Sequence, residues 1–209
     1  MPARSYGQFC GLARALEHVG DRWTLLIVRQ LLTSPRRYVD LQRALVGISS
    51  NVLADRLQRL EADGIAHQTE LPAPARTPVW DLTDEGRTLE PVVLELLRWG
   101  TRYLADPDRS DEPAHDDWMV LPLRWLAARA PVDREHVWRF EVDGERTMTV
   151  RVAGTDVELD PGAAAALVVR ASRRGDLAAA LAGVVPPPGQ LELDGAAGPF
   201  VQLVDAGNA

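Results

Sequence analysis

The chain has 209 residues, 46 % of them apolar and 25 % charged, with a net charge of −7 and a single cysteine. That length suits two domains of ordinary size, and one cysteine excludes an internal disulfide framework. No apolar run approaches the ~20 residues that cross a bilayer, and no apolar stretch follows Arg4 and Tyr6 as a signal peptide would require, so a cytoplasmic protein with no membrane partner is expected. The charge is uneven. Residues 1–104 hold 13 arginines against 12 acids, whereas residues 105–209 hold 10 against 18. Within residues 36–59 five arginines face two acids. A phosphate backbone repels the acidic half, so only the first half suits nucleic acid.

In chain order, Phe9 to Val19 is an amphipathic helix ending at Gly20. Trp23 to Leu32 is strongly apolar (Leu25, Leu26, Ile27, Val28, Leu31, Leu32) and is predicted as the central buried helix. Ser34-Pro35 stops it. Tyr38 to Leu45 makes a short helix with Leu41 and Leu45 inward, and Gly47 turns the chain. From Ser50 to Asp63, Leu53, Leu57 and Leu60 share one face at helical spacing. Asn51, Ala54, Asp55 and Gln58 take the opposite face, and Arg56 and Arg59 one flank. Ser49 or Ser50 is the N-cap, and Gly64 ends the helix. Ile65–Leu71 and Val79–Leu82 alternate as two strands around Pro72–Pro78. Thr83-Asp84-Glu85 then opens a last helix, with two early acids suited to its N-terminus, which continues to Tyr103. Three helices after the first, a hairpin and a terminal helix make a winged helix-turn-helix. Its third helix in such a motif enters the DNA major groove.

The motifs Gly20-Asp21-Arg22-Trp23-Thr24-Leu25-Leu26-Ile27, Pro35-Arg36-Arg37-Tyr38, Gly47-Ile48-Ser49, Leu53-Ala54-Asp55-Arg56-Leu57 and Leu82-Thr83-Asp84-Glu85-Gly86 resemble the HxlR family of bacterial winged-helix regulators. The likeness covers about residues 9–103. It implies a homodimer that binds a palindromic promoter site. The wing tip, Pro74-Ala75-Arg76-Thr77-Pro78-Val79, departs from the family pattern, with its arginine displaced to Arg76. The candidate double-stranded-DNA contacts are Ser50, Asn51, Asp55 and Gln58 for bases, Arg36, Arg37, Arg56 and Arg59 for phosphates, Arg76 for the minor groove, and Ser49 at the helix start. Arg22 is a further candidate that has its own helix to cap. In this family a cysteine near Cys10 senses oxidants or electrophiles in some members. Cys10 stands at a helix start, where the dipole favours a thiolate, or else is a small buried residue.

Residues 105–115, acidic and proline-bearing, read as a linker. Beyond them, Asp116 to Ala130 forms an amphipathic helix. His136–Val142 and Thr147–Val152 alternate as strands around Asp143-Gly144, a strong hairpin signal. Val157–Leu159 and Ala166–Ala171 are further strands, and Asp176–Leu181 is a short helix. Pro186–Gly189 breaks the chain before Leu191–Leu193, a final strand, and Pro199–Val204 closes it as a helix. A meander of strands covered by helices on one face is an α+β layout with a mostly antiparallel sheet. The hairpin, the Leu-Val-Val-Arg strand and the Leu191–Gly195 segment resemble the sterol-carrier-protein-like fold over residues 117–206. That resemblance implies an apolar cavity between sheet and helices. Trp118, Trp125, Trp138 and Phe140 are the candidate ligand contacts, with Arg139, Arg151 or His136 to orient the ligand. A solid core serving only dimerisation or partner docking is the alternative.

No enzyme is expected. The four histidines have no metal-ligand spacing to one another or to Cys10. No nucleophile elbow, phosphate loop or dinucleotide fingerprint is present, and no cofactor is implied. Trp23 and Trp99 are expected in the core. The expectation is therefore a homodimeric DNA-binding regulator. Its domains are 1–104 (winged helix), 105–115 (linker) and 116–209, the last sensing a small hydrophobic ligand.

Overall fold

A computed structural model describes residues 5–103, 116–181 and 189–207. The predicted linker and the Pro186–Pro188 break lie outside the described residues. The chain forms two compact units, Met1–Val93 and Leu94–Ala209. No helix among the described residues is long and apolar enough to cross a membrane.

The first unit runs α1 (Gly11–Val19), α2 (Thr24–Thr33), α3 (Tyr38–Ala44), α4 (Ser50–Ala62), β1 (Ala66–Glu70), β2 (Pro78–Leu82) and α5 (Asp84–Arg87). Helix α2 is the core of this unit, with Ile27, Val28 and Leu31 fully buried. Leu53, Leu57 and Leu60 of α4 are buried on the predicted face, and α4 packs against β1. β1 and β2 pair antiparallel, Ala66 opposite Leu82. A single bridge from Arg36 to Trp80 adds a third short strand, which sequence reading did not anticipate. Gly20 ends α1 for a steric reason: a Cβ there would meet the Leu16 carbonyl oxygen at 2.4 Å.

The predicted single helix over Thr83–Tyr103 is instead broken. α5 stops at Arg87, α6 spans Glu90–Gly100, and a 3-10 turn holds Thr101–Tyr103. Pro91 explains the break. It has no N–H to bond the Arg87 carbonyl one turn back, so the chain breaks at Thr88–Leu89 and Pro91 stands in the first turn of a new helix, where proline is tolerated. The second correction concerns Trp99. It is 55 % exposed, with its ring edge-on to Tyr103 of the following 3-10 turn at 5.3 Å.

The second unit holds the C-terminal part of α6, then a 3-10 turn (Asp116–Met119), α7 (Val120–Arg129), β3 (His136–Val142), β4 (Glu145–Ala153), β5 (Asp156–Leu159), β6 (Leu167–Ala171), α8 (Arg174–Leu181), β7 (Leu191–Gly195) and α9 (Gly198–Ala206). Asp143 and Gly144, both at positive φ, make the tight turn of the β3–β4 hairpin. The sheet order is β5-β4-β3-β6-β7. The meander therefore ends at β5. The chain crosses over, and β6 lies parallel to β3, so the sheet is mixed although mostly antiparallel. Side chains alternate along β3 as buried and half-buried. Trp138 and Phe140 point to the interior, where Phe200 of α9 meets both rings, at 5.4 and 6.0 Å. Helix α7 is packed on β5 and against α8 and α9.

Candidate nucleic-acid interface

Helix α4 is built to present one face outward. Ser49 caps it by accepting from the Val52 N–H at 3.4 Å. Ser50 is held from α3. The Tyr38 hydroxyl donates to its carbonyl at 2.8 Å and the Gln42 amide to its hydroxyl at 2.6 Å. These ties orient the first turn of α4. Sequence reading missed both Tyr38 and Gln42, because nothing in spacing alone pairs α3 side chains with a particular serine. Asn51, Asp55 and Gln58 are exposed on the same helix. Gln58 also borders an open groove of about 340 Å³ between α4 and the wing, with Tyr38, Glu61, Gln68 and Trp80 among its walls.

The arginines divide into groups. Arg56 is ion-paired to Asp21, its side chain only 17 % exposed. Arg59 reaches Asp55 at 3.2 Å and Asp21 at 3.6 Å. Asp55, a predicted base reader, is thus engaged by both arginines of its own helix, and Asp21 is an ion-pair hub that sequence reading missed. Arg36 is half-buried. Its backbone bonds Trp80 in both directions at 2.9 and 2.8 Å, and its guanidinium donates to Thr33 at 3.0 Å. Arg37 is exposed at the α3 N-cap. Arg76 is exposed at the wing tip with φ +37°. Arg22 stacks over Trp23 at 5.2 Å. The geometry offers a fixed helix with exposed amide side chains, flanked by exposed cations at Arg37 and Arg76. That combination can bind phosphates and read base edges.

Cys10 is exposed at the N-cap of α1. Cys10 makes no side-chain cap hydrogen bond, but the nearby backbone N–H groups of Ala13 and then Leu12 hold the thiol below its usual range. The buried alternative is overturned. Among the described residues no cluster of His, Cys, Asp and Glu is arranged to hold a metal.

The candidate ligand residues of the second unit separate. Trp138 and Phe140 are fully buried and share one interior region with Phe200. Trp125 is turned to α6 instead. Its indole donates to Glu95 at 3.0 Å, and Arg129 stacks on its ring at 3.7 Å. That indole bond, then Arg129, holds the Glu95 carboxyl below the usual range. Trp118 is half-buried in the 3-10 turn. The strand alternation sends Arg139 and Arg151 to the sheet face opposite Trp138. There Arg151 is paired with Glu135 and Asp160. Neither arginine is on the interior side of the sheet, whereas His136 is.

The HxlR-like helix-turn-helix family model matches residues 18–108. The regulator YvaP of Bacillus subtilis, named as an uncharacterized HTH-type transcriptional regulator, is 36 % identical over 101 residues, covering 47 % of this chain and 90 % of its own. The chain belongs to the HxlR-like helix-turn-helix family of transcriptional regulators. YodB of the same organism, an HTH-type transcriptional regulator, is 30 % identical over 94 residues, 45 % of this chain and 84 % of that protein. Among solved structures, the redox regulator HypR in its reduced form is 28 % identical with a TM-score of 0.42, covering 46 % of this chain and 95 % of that one. Each of these matches spans less than half of this chain. The family accounts for the winged helix and leaves the sheet unit to be read from its own residues.

Proposed function

We propose that the protein is a homodimer that binds a palindromic promoter site through α4, and that its C-terminal half senses a small apolar ligand. The observation that carries the DNA reading is α4 itself. It is capped by Ser49, tied down at Ser50 and buried along its leucine face, and it leaves Asn51 and Gln58 exposed. Amide side chains suit adenine edges. Arg37 and Arg76, with Arg36 and Arg59 behind them, supply phosphate contacts. Arg56 acts mainly by locking α4 to Asp21. Dimerisation is supported by exposed apolar side chains on two helices. These are Phe9, Leu12 and Leu16 at α1, and Val92, Leu96 and Trp99 on α6 with Tyr103 just beyond. Single exposed apolar residues are ordinary, but such rows mark interaction surfaces.

The ligand reading for residues 116–209 rests on the resemblance of its sequence to the sterol-carrier-protein-like fold and on how the residues that carry it are placed. The hairpin, the Leu-Val-Val-Arg strand and the Leu191–Gly195 strand join one sheet, and aromatic rings gather on its interior side. A gel shift of the full chain with the DNA upstream of its own gene tests the first half of the proposal. Retardation that competitor DNA of scrambled sequence cannot abolish is the expected result. Equal competition by any DNA would sink it. A second reading, that the regulator responds to oxidants or electrophiles through Cys10, is favoured by that thiol's exposure and the N–H groups near it.

A further inference from the structure

His136 and Trp138 stand two residues apart on the interior side of β3, the central strand of the sheet. Their rings stack with centroids 6.0 Å apart and planes at 26°. Trp138 is 0 % exposed and His136 6 %. Each carries a buried ring nitrogen, Trp138 Nε1 and His136 Nε2, that has no hydrogen-bond partner among the described residues. The Asp133 carboxylate stays 3.6 Å from His136 Nε2, beyond hydrogen-bonding distance, and is 82 % exposed. Buried polar groups in folded proteins are nearly always paired. In the same unit Trp125 obeys that rule by donating to Glu95. Trp138 and His136 break it side by side.

The chemistry of the missing partner follows from the two rings. An indole N–H only donates, so it needs an acceptor. A neutral imidazole nitrogen accepts or donates according to its tautomer. A hydroxyl suits either ring, because its oxygen can accept from Trp138 and its proton or lone pair can serve His136. A carboxylate would need a cation beside it, and Arg139 and Arg151 are on the opposite face of the sheet, which leaves only His136 itself. The surroundings beyond Trp138 are apolar, with Phe200 against Trp138 and Phe140. We infer that His136 and Trp138 form the polar end of the ligand site and take an uncharged apolar molecule bearing a hydroxyl group. This rests on the ligand-binding reading above.

The test uses the full chain and two pairs of probes that differ only by the hydroxyl: 1-naphthol against naphthalene, and octan-1-ol against octane. In calorimetric titration, at least one alcohol is expected to bind about tenfold or more tighter than its hydrocarbon, because a site built to bond a hydroxyl rejects the analogue without it. His136→Phe should bring that alcohol to the hydrocarbon's affinity and leave the hydrocarbon unchanged. In the unmutated chain, the Trp138 indole proton resonance should shift downfield with the alcohol alone, which keeps the test decisive if the variant misfolds. Equal binding of alcohol and hydrocarbon, with no indole shift, overturns the hydroxyl assignment while leaving an apolar site in place. Tighter binding of 1-naphthoate than of 1-naphthol overturns the choice of an uncharged ligand. No binding by any probe overturns the ligand reading itself and this inference with it.

Discussion

Arg37 and Arg56 have different tasks. Arg37 is exposed, whereas Arg56 is mostly covered and paired with Asp21. Replacing Arg37 with Ala is expected to weaken binding to all DNA sequences alike and to lower the salt slope by about one, with the melting temperature unchanged. Arg56→Ala should instead cost roughly 1 kcal/mol of folding stability, with a smaller change in slope. Anisotropy titrations across salt concentrations, with thermal melts alongside, separate the two, and identical behaviour would remove the distinction. Asn51→Ala and Gln58→Ala should each cost about 1–3 kcal/mol at one base position and relax preference there. Uniform weakening on scrambled DNA would reduce them to backbone contacts. At Cys10 the helix N–H groups lower the thiol pKa, so the thiolate persists to lower pH than in an unfolded chain. The rate of alkylation by iodoacetamide, followed against pH, should have its midpoint below that of the urea-denatured protein. A coincident midpoint would show that the N–H groups do not act on the sulfur.

Among the elements, α4 and the α5 corner are the most sensitive to single atoms. Ser49→Ala removes the cap of α4 and should cost about 1 kcal/mol in denaturant unfolding, with a further loss of DNA affinity as the first turn frays. Gly86 packs so closely that a Cβ would lie 2.0 Å from the Ile65 carbonyl oxygen. Gly86→Ala must push α5 off the strand start, and a loss of about 1–3 kcal/mol is expected. A variant as stable as the parent would mean that this corner yields freely. The helical spacing of Leu53, Leu57 and Leu60 was enough to assign the buried face of α4, because a helix fixes which residues lie together. The same spacing over-extended the last helix of the winged unit. Apolar periodicity continues through Thr88–Leu89, but Pro91 withholds a hydrogen bond that periodicity does not register.

For the whole molecule, the exposed apolar rows predict the assembly. Leu12→Asp combined with Leu96→Asp should convert a dimer at micromolar concentration to a monomer in sedimentation, with each protomer still folded by circular dichroism. A parent chain that already sediments as a monomer would remove the dimer. If it stands, two copies of α4 would read half-sites about 10 bp apart. A ligand matters to this assembly only through a difference in affinity between its DNA-competent and incompetent forms.

The sequence by itself determined the winged helix, its fourth helix with a serine cap at Ser49 or Ser50, the β3–β4 hairpin and the order of elements in the second half. All of these rest on local rules: periodicity, caps and turn residues. What only the tertiary structure decided are matters of which distant groups meet. Asp21 takes up Arg56 and Arg59, removing much of the free charge expected on α4. The crossover sets β6 beside β3 in parallel, a pairing no local signal encodes. Trp99 is at the surface although its helix is apolar, and Trp125 turns to Glu95 while Trp138 turns inward. Strand alternation could be read in advance, but which side of the sheet the helices cover could not, and that choice placed His136 inside and Arg139 and Arg151 on the other face.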